Sequence, residues 1–247
     1  MTKKLMKASA FERFYQFALN IYFAIRPLRL KELIVGTKAW EDYWAKRTKG
    51  KDWNYRNDGL FAGYWTSIKH PHRQLLVESM AKYRPDSILE VGCSCAPNLY
   101  LLAKRFQEAE IWGVDINRQA VEYGQIMFGQ GGIENVWLAT RKADELLFAD
   151  KTFDVVLTDA TLIYIGRDKI IPVIERILNI AKKGLVLVER HIEGVGALGV
   201  YRDGLWQRDY MELLGFYIPK KQITITPIPE SIWPEWAETG CIIEVKL

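Results

Sequence analysis

A carboxylate in the middle of this chain is placed as a nucleoside site would need it, at the end of the second of two short apolar runs. Glu90 lies in the short apolar run Ser87 to Val91, and Asp115 ends the next one, Ile111 to Val114. The second acid falls at about the 20-residue offset where a carboxylate beyond a strand end can accept both hydroxyls of a ribose. Between them Gly92 breaks the first run, and Pro97 stands where a first helical residue tolerates proline. Later in the chain a group suited to proton transfer follows another apolar run. His191 comes after Val188-Glu189-Arg190, and its imidazole titrates near neutral pH, which makes it a general-base candidate. Asp159, after Phe153 to Thr158, is placed to orient that histidine, contact an acceptor or cap the following turn. Cys93 and Cys95 have no second ligand pair nearby, so they read as small side chains packing a turn, with no metal site expected.

These groups need strands and helices to converge. Asn98 to Phe106 carries a helical apolar stripe, so Ser87 to Val114 reads as strand, tight turn, helix and strand. Such a turn aims the free amides of a helix N-terminus at a ligand beyond the strand ends. Further along, helices are expected over Arg118 to Phe128 and Asp168 to Ala181. Strands are expected over Val136 to Ala139, Phe153 to Thr158 and Leu185 to Glu189. Strands alternating with helices at this spacing imply a parallel sheet covered on both faces. A short helix, Asp209 to Leu214, is followed by two alternating segments, Gln222 to Thr226 and Cys241 to Leu247. Before the first strand lies a helix Gln74 to Ala81, and before it the run Ser67-Ile68-Lys69-His70-Pro71-His72-Arg73. Pro71 biases His70 to an extended backbone, which would turn the two histidines different ways.

In its ordered motifs the chain resembles the class I S-adenosylmethionine-dependent methyltransferases. Glu90-Val91-Gly92-Cys93-Ser94-Cys95-Ala96 resembles that family's acidic, glycine-rich first motif, and Val114-Asp115-Ile116 its second. Ala143-Asp144-Glu145 resembles the loop that places an acid near the adenine, and Phe153 to Asp159 the fourth strand with its terminal acid. The resemblance covers roughly residues 75 to 247 and implies S-adenosylmethionine as cofactor. It also implies a three-layer α/β/α sandwich: a mostly parallel seven-stranded sheet with an antiparallel C-terminal edge, preceded here by a helical N-terminal extension. Cofactor-binding positions carried over are Glu90, Gly92, Cys93, Ser94, Asn98, Asp115, Ile116, Asp144, Glu145 and Asp159. His70, Arg73 and Tyr164 are substrate candidates. Where the family usually has glycine, this chain has Ser94 and Ala96, and small residues with a Cβ there suggest a reshaped turn. A dehydrogenase fingerprint would need glycine at 94 and 97, so an NAD(P)-dependent oxidoreductase ranks well below; a non-catalytic methyltransferase-like subunit is the other alternative.

Composition bounds the partners. Residues 1–38 hold eight Lys or Arg against two Glu, a charge of +6, which leaves −2 of the total +4 for the other 209 residues. A catalytic part of that sign lacks the basic footprint of a nucleic-acid enzyme. Three cysteines suggest a reducing cytoplasm. Phe11 to Leu33 places aromatic residues at helical spacing between basic flanks but is interrupted too early to span a bilayer. It suits an anionic membrane surface at the inner membrane face through residues 11–33, its own domain, or a second copy in a homodimer. Two domains follow: a helical, aromatic-rich extension or cap over 1–73 and a catalytic domain over 74–247. Segments Leu157 to Ile165 and Gly184 to Glu189 are also similar to small-molecule methyltransferases of bacterial surface-sugar biosynthesis. That similarity suggests a glycan precursor or other small-molecule hydroxyl as acceptor.

Overall fold

The fold is built on a seven-stranded sheet in the order β3-β2-β1-β4-β5-β9-β8. The computed structural model describes residues 36–47 and 60–247. The expected helix Phe11 to Leu33 and its partners therefore lie outside the described residues, as does part of the aromatic segment after it. Strands β1 (Ser87–Val91), β2 (Glu110–Asp115), β3 (Val136–Thr140), β4 (Phe153–Asp159) and β5 (Ala181–Arg190) run parallel. β9 (Gly240–Lys246) pairs antiparallel with both β5 and β8 (Ile223–Pro227), forming the edge implied by the two alternating C-terminal segments.

Helices α1 (Thr37–Lys46), α2 (Leu60–Thr66), α3 (His72–Ala81), α4 (Pro97–Arg105), α5 (Arg118–Gln130), α6 (Ile170–Ile180) and α7 (Tyr210–Gly215) complete the order. β4 is buried along its whole length, as a central strand covered on both faces must be. A hairpin of β6 (Val200–Arg202) and β7 (Leu205–Gln207) was not expected. Its two-residue loop, Asp203-Gly204, has positive φ at both positions, and that dipeptide between short runs was the available signal. Before α3 the described residues form α1 and α2. α1 has no side-chain N-cap and is instead fixed by tertiary bonds, with Thr37 N–H and Oγ1 both donating to Asp168.

The order reverses where β1 and β4 lie side by side, and at such a switch point the strand ends open a crevice. Gly92 ends β1 on one side of it with φ +79°, and Asp159 ends β4 on the other. The backbone beyond β4 is held by a buried carboxylate. Glu189 accepts Thr158 Oγ1 (2.8 Å) and the N–H groups of Thr161 (3.1 Å), Leu162 (2.9 Å) and Ile163 (3.2 Å). From the other side Arg208, wholly buried, donates to the carbonyls of Leu162 (2.8 Å) and Ile165. Glu189→Ala would strand those donors in the interior. We expect it to lower the free energy of unfolding by about 3 kcal/mol or more, read from urea denaturation.

Candidate active site

The crevice opens into a cavity of about 360 Å³. Its floor comes from the strand ends: Gly92, Ser94, Asp115, Ile116 and Asp159. Its walls are aromatic, formed by Trp40, Trp44, Phe61, Tyr64, Tyr164, Trp233 and Trp236.

The turn after β1 was expected to be reshaped by the side chains at 94 and 96, and both positions are left-handed. Ser94 (φ 52°) and Ala96 (φ 63°) both adopt the left-handed conformation that glycine would adopt freely, at a cost on the order of 1 to 2 kcal/mol each. Asp115 holds the turn, since Ser94 N–H donates to its Oδ2 (2.8 Å) and Asn117 N–H to its Oδ1 (2.7 Å). Each oxygen thus has one backbone donor and a lone pair left for a hydroxyl. Burial raises the Asp115 pKa against those two hydrogen bonds.

At the end of β4 a polar cluster gathers around one oxygen. Asp159 Oδ2 receives His72 Nε2 (3.1 Å), Asn98 Nδ2 (3.0 Å) and Arg73 Nη1 (3.3 Å). Asn98 also donates to Glu90 Oε1 (2.7 Å) and accepts from Arg73. Burial opposes charge on Asp159, but His72, Arg73 and Asn98 outweigh it and hold its pKa at about 2. Glu90 goes the other way: burial dominates, the Asn98 bond opposes it only in part, and its pKa is pushed up to about 8. Among the described residues, Asp159 Oδ1 and Glu90 Oε2 are buried without a hydrogen-bond partner. A buried acceptor left open costs free energy unless a donor arrives. The ionised Asp159, with its open Oδ1, fits the cationic end of an amino-acid cofactor, and Asp115 fits its ribose.

The expected residues separate into two groups. Gly92, Ser94, Asp115, Ile116, Asp144 and Asp159 line the cavity, as do His70, Arg73 and Tyr164. Glu90 and Asn98 back it through Asp159. Cys93 is buried under the turn beside Gly113, and Glu145 is exposed and paired with Lys142 (3.4 Å). Asp144 is not free, since Lys169 Nζ lies 2.7 Å from it and also bonds Glu41 on α1. His191 is not among the lining residues. It is half-buried, and its Nδ1 accepts the Tyr210 N–H (3.1 Å). The partner of Asp159 is instead His72, a residue with no assigned role in the sequence reading. His70 and His72 do not face apart: His70 is extended as expected, yet the rings meet with centroids 4.6 Å apart. Pro71, already helical at φ −59°, turns the chain so that His72 opens α3 back toward His70.

Residues 88–184 match a family model described as a methyltransferase domain. This part of the chain is similar to methyltransferase domains, and the match covers 97 of the 247 residues. The uncharacterized protein YbxB of Bacillus subtilis is 28% identical over 124 residues, 49% of this chain and 60% of that protein. An uncharacterized protein of Haemophilus influenzae is 26% identical over 59% of this chain and 54% of its own length. The chain thus spans little more than half the length of these relatives. Magnesium protoporphyrin IX methyltransferase from Synechocystis, solved with S-adenosylmethionine bound, superposes with a TM-score of 0.58 at 16% identity. That match covers 85% of this chain and 97% of the other. The [4+2]-cyclase SpnF superposes at 0.54 and 15% identity over 70% of this chain and 79% of its own. Likeness at that level shows the fold. Among the described residues, no helix is long and apolar enough to cross a membrane.

Proposed function

We propose that this methyltransferase acts on a hydroxyl of a small acceptor, with a sugar or glycan precursor as the leading class. The observation that carries the reading is the aromatic-walled cavity opening directly onto the cofactor turn. Flat aromatic walls suit the apolar faces of a sugar ring, and the polar side chains between them suit its hydroxyls. In this reading the protein works in the cytoplasm.

Asp115 holds the ribose hydroxyls, Ile116 flanks the adenine, and Asp144 stands near it under the hold of Lys169. Asp159 Oδ1, with Glu90 behind it, takes the ammonium of the amino-acid end. S-adenosylmethionine supplies an activated methyl on a sulfonium. The chain's own task is to hold the acceptor oxygen in line and near contact and to exclude water. α1 contributes to the exclusion, because Glu41 and Thr37 tie it across the cavity to Lys169 and Asp168.

Calorimetry tests the reading first. S-adenosylmethionine should bind with measurable heat and a nicotinamide cofactor should not, whereas no heat from the former overturns it. A methyl-labelled cofactor incubated with a small-molecule extract should then place label on a glycan precursor, read by mass spectrometry. Label found only on protein or nucleic acid would overturn the acceptor class.

A further inference from the structure

A line of hydrogen bonds runs from the buried carboxylate at the end of β4 to a ring on the cavity wall. Asp159 Oδ2 lies 3.1 Å from His72 Nε2, and His72 Nδ1 lies 2.5 Å from His70 Nδ1. His72 is 3% exposed, while His70 is only half-buried and lines the cavity. Trp233 packs against both imidazoles, with centroids 4.3 Å from His72 and 5.0 Å from His70, and stacks on Trp236 behind. The rings are therefore held in place by packing as well as by hydrogen bonds.

The tautomers follow from the Asp159 end. An ionised carboxylate accepts only, so His72 must donate from Nε2, and neutral His72 then offers a lone pair at Nδ1. The 2.5 Å contact requires a proton between the two Nδ1 atoms, and with His72 neutral that proton is carried by His70 Nδ1. Neutral His70 is left with its lone pair on Nε2. The reverse state is also accommodated. If His70 gains a proton on Nε2 and passes the Nδ1 proton inward, His72 becomes an imidazolium beside Asp159. His70 Nδ1 then accepts both from His72 Nδ1 and from the His72 backbone N–H, which already lies 3.4 Å away.

We propose that His70 is the general base of the methyl transfer, and that His72 and Asp159 are the positioning residues that fix its tautomer and draw its proton inward. The inference rests on the reading of a hydroxyl acceptor given above. As the acceptor oxygen bonds the methyl carbon, the carbon–sulfur bond breaks with its electron pair going to sulfur, which turns the sulfonium into a neutral thioether. The hydroxyl proton goes to His70 Nε2, and charge is conserved: one cation is lost at sulfur and one appears on the imidazole pair.

The groups facing His70 are His72 and Arg73 from the start of α3, Asp159 from β4 and Glu235 from the turn 234–236. Burial, His72 and Arg73 lower its pKa from the ordinary 6.5, and Asp159 and Glu235 offset this only in part. His70 therefore stays unprotonated and competent through neutral pH, and the transfer rate falls on an acid limb below that ordinary value. His191, the expected base, lies outside this line.

The chain has only three histidines, so the test is direct. Nitrogen-detected NMR of histidine-labelled protein with S-adenosylhomocysteine at pH 7.5 should show His70 protonated on Nδ1 and His72 on Nε2. In His72→Gln the His70 preference should relax to the mixture of a free imidazole. A His70 protonated mainly on Nε2, or one indifferent to His72→Gln, overturns the relay. In the labelled-methyl assay His70→Gln should lower the rate at least 100-fold and abolish the acid limb. Its dissociation constant for S-adenosylhomocysteine should stay within about twofold. A rate within fivefold of the native protein removes His70 as the base and leaves the methyltransferase reading standing. Cofactor binding with no transfer by the native protein from any extract sinks that reading itself.

Discussion

Asp159→Ala should cost about 3 to 5 kcal/mol of folding stability and lower the thermal midpoint by on the order of 10 °C. Among the described residues the carboxylate is the sole acidic partner in the hydrogen bonds of Arg73, a guanidinium only 2% exposed, and it also anchors His72 and Asn98. Removing it leaves a buried cation without the carboxylate it bonds and opens a space in the polar cluster, which is worse than never having buried the pair. Asp159→Asn keeps the volume and one acceptor oxygen, so its loss should be roughly half as large. Both variants should bind cofactor poorly, because the open Oδ1 is gone or no longer charged.

The same residue predicts a pH signature. Its folded pKa of about 2 lies below the ordinary 3.8, so its stabilisation is fully present above pH 3.8 and is lost as pH falls toward 2. Glu90 and Glu189 act in the opposite sense. Their folded values, about 8 and about 7, lie above the ordinary 4.5, so the native state holds protons that the unfolded chain releases. Stability should therefore decline as pH rises from 4.5 toward 8. Glu90→Gln, which imitates the protonated form, should flatten that decline in a series of thermal melts, and an unchanged slope would show that Glu90 is ionised throughout.

What was legible in the sequence is what depends on local pattern. The run Ser87 to Val91, the break at Gly92, the proline at the first helical position and the acid after the second run located one side of the cavity. The two alternating C-terminal segments located the antiparallel edge. The other side depends on contacts between residues far apart in the chain, and no local pattern marks those. His72 meets Asp159 across 87 positions, and Thr37 meets Asp168 across 131. Pro71 did impose an extended His70, as its sterics require, but the position of the next ring was decided by the helix that begins there and by Trp233 from near the end of the chain. His191 followed the right strand, yet its lone pair at Nδ1 is used by the Tyr210 N–H, so a position after a strand end was not enough to make it a site residue. The left-handed Ser94 and Ala96 show the converse. Local propensity argued against that turn, and two hydrogen bonds to Asp115 with packing around it overrode the cost.

Those bonds make Asp115→Ala the substitution with the largest expected effect on cofactor binding. The carboxylate does two things at once: it supplies the remaining lone pairs for a ribose, and it fixes the backbone of the turn that the cofactor must lie against. Losing two charge-assisted hydrogen bonds to ligand, at about 1.5 to 3 kcal/mol each, weakens binding by roughly 10²- to 10⁴-fold. The freed Ser94 N–H adds to this, because nothing then compensates the left-handed backbone at Ser94. Asp115→Asn separates the two contributions. Its amide oxygen can still accept one backbone N–H, but its nitrogen faces the other, so the turn should loosen even though the side chain keeps its volume. Titration calorimetry with S-adenosylhomocysteine should therefore rank the proteins native, Asn, Ala, with the Asn variant already at least tenfold weaker than native. Equal affinity in all three would mean that the ribose is held elsewhere and that the turn keeps its shape without Asp115.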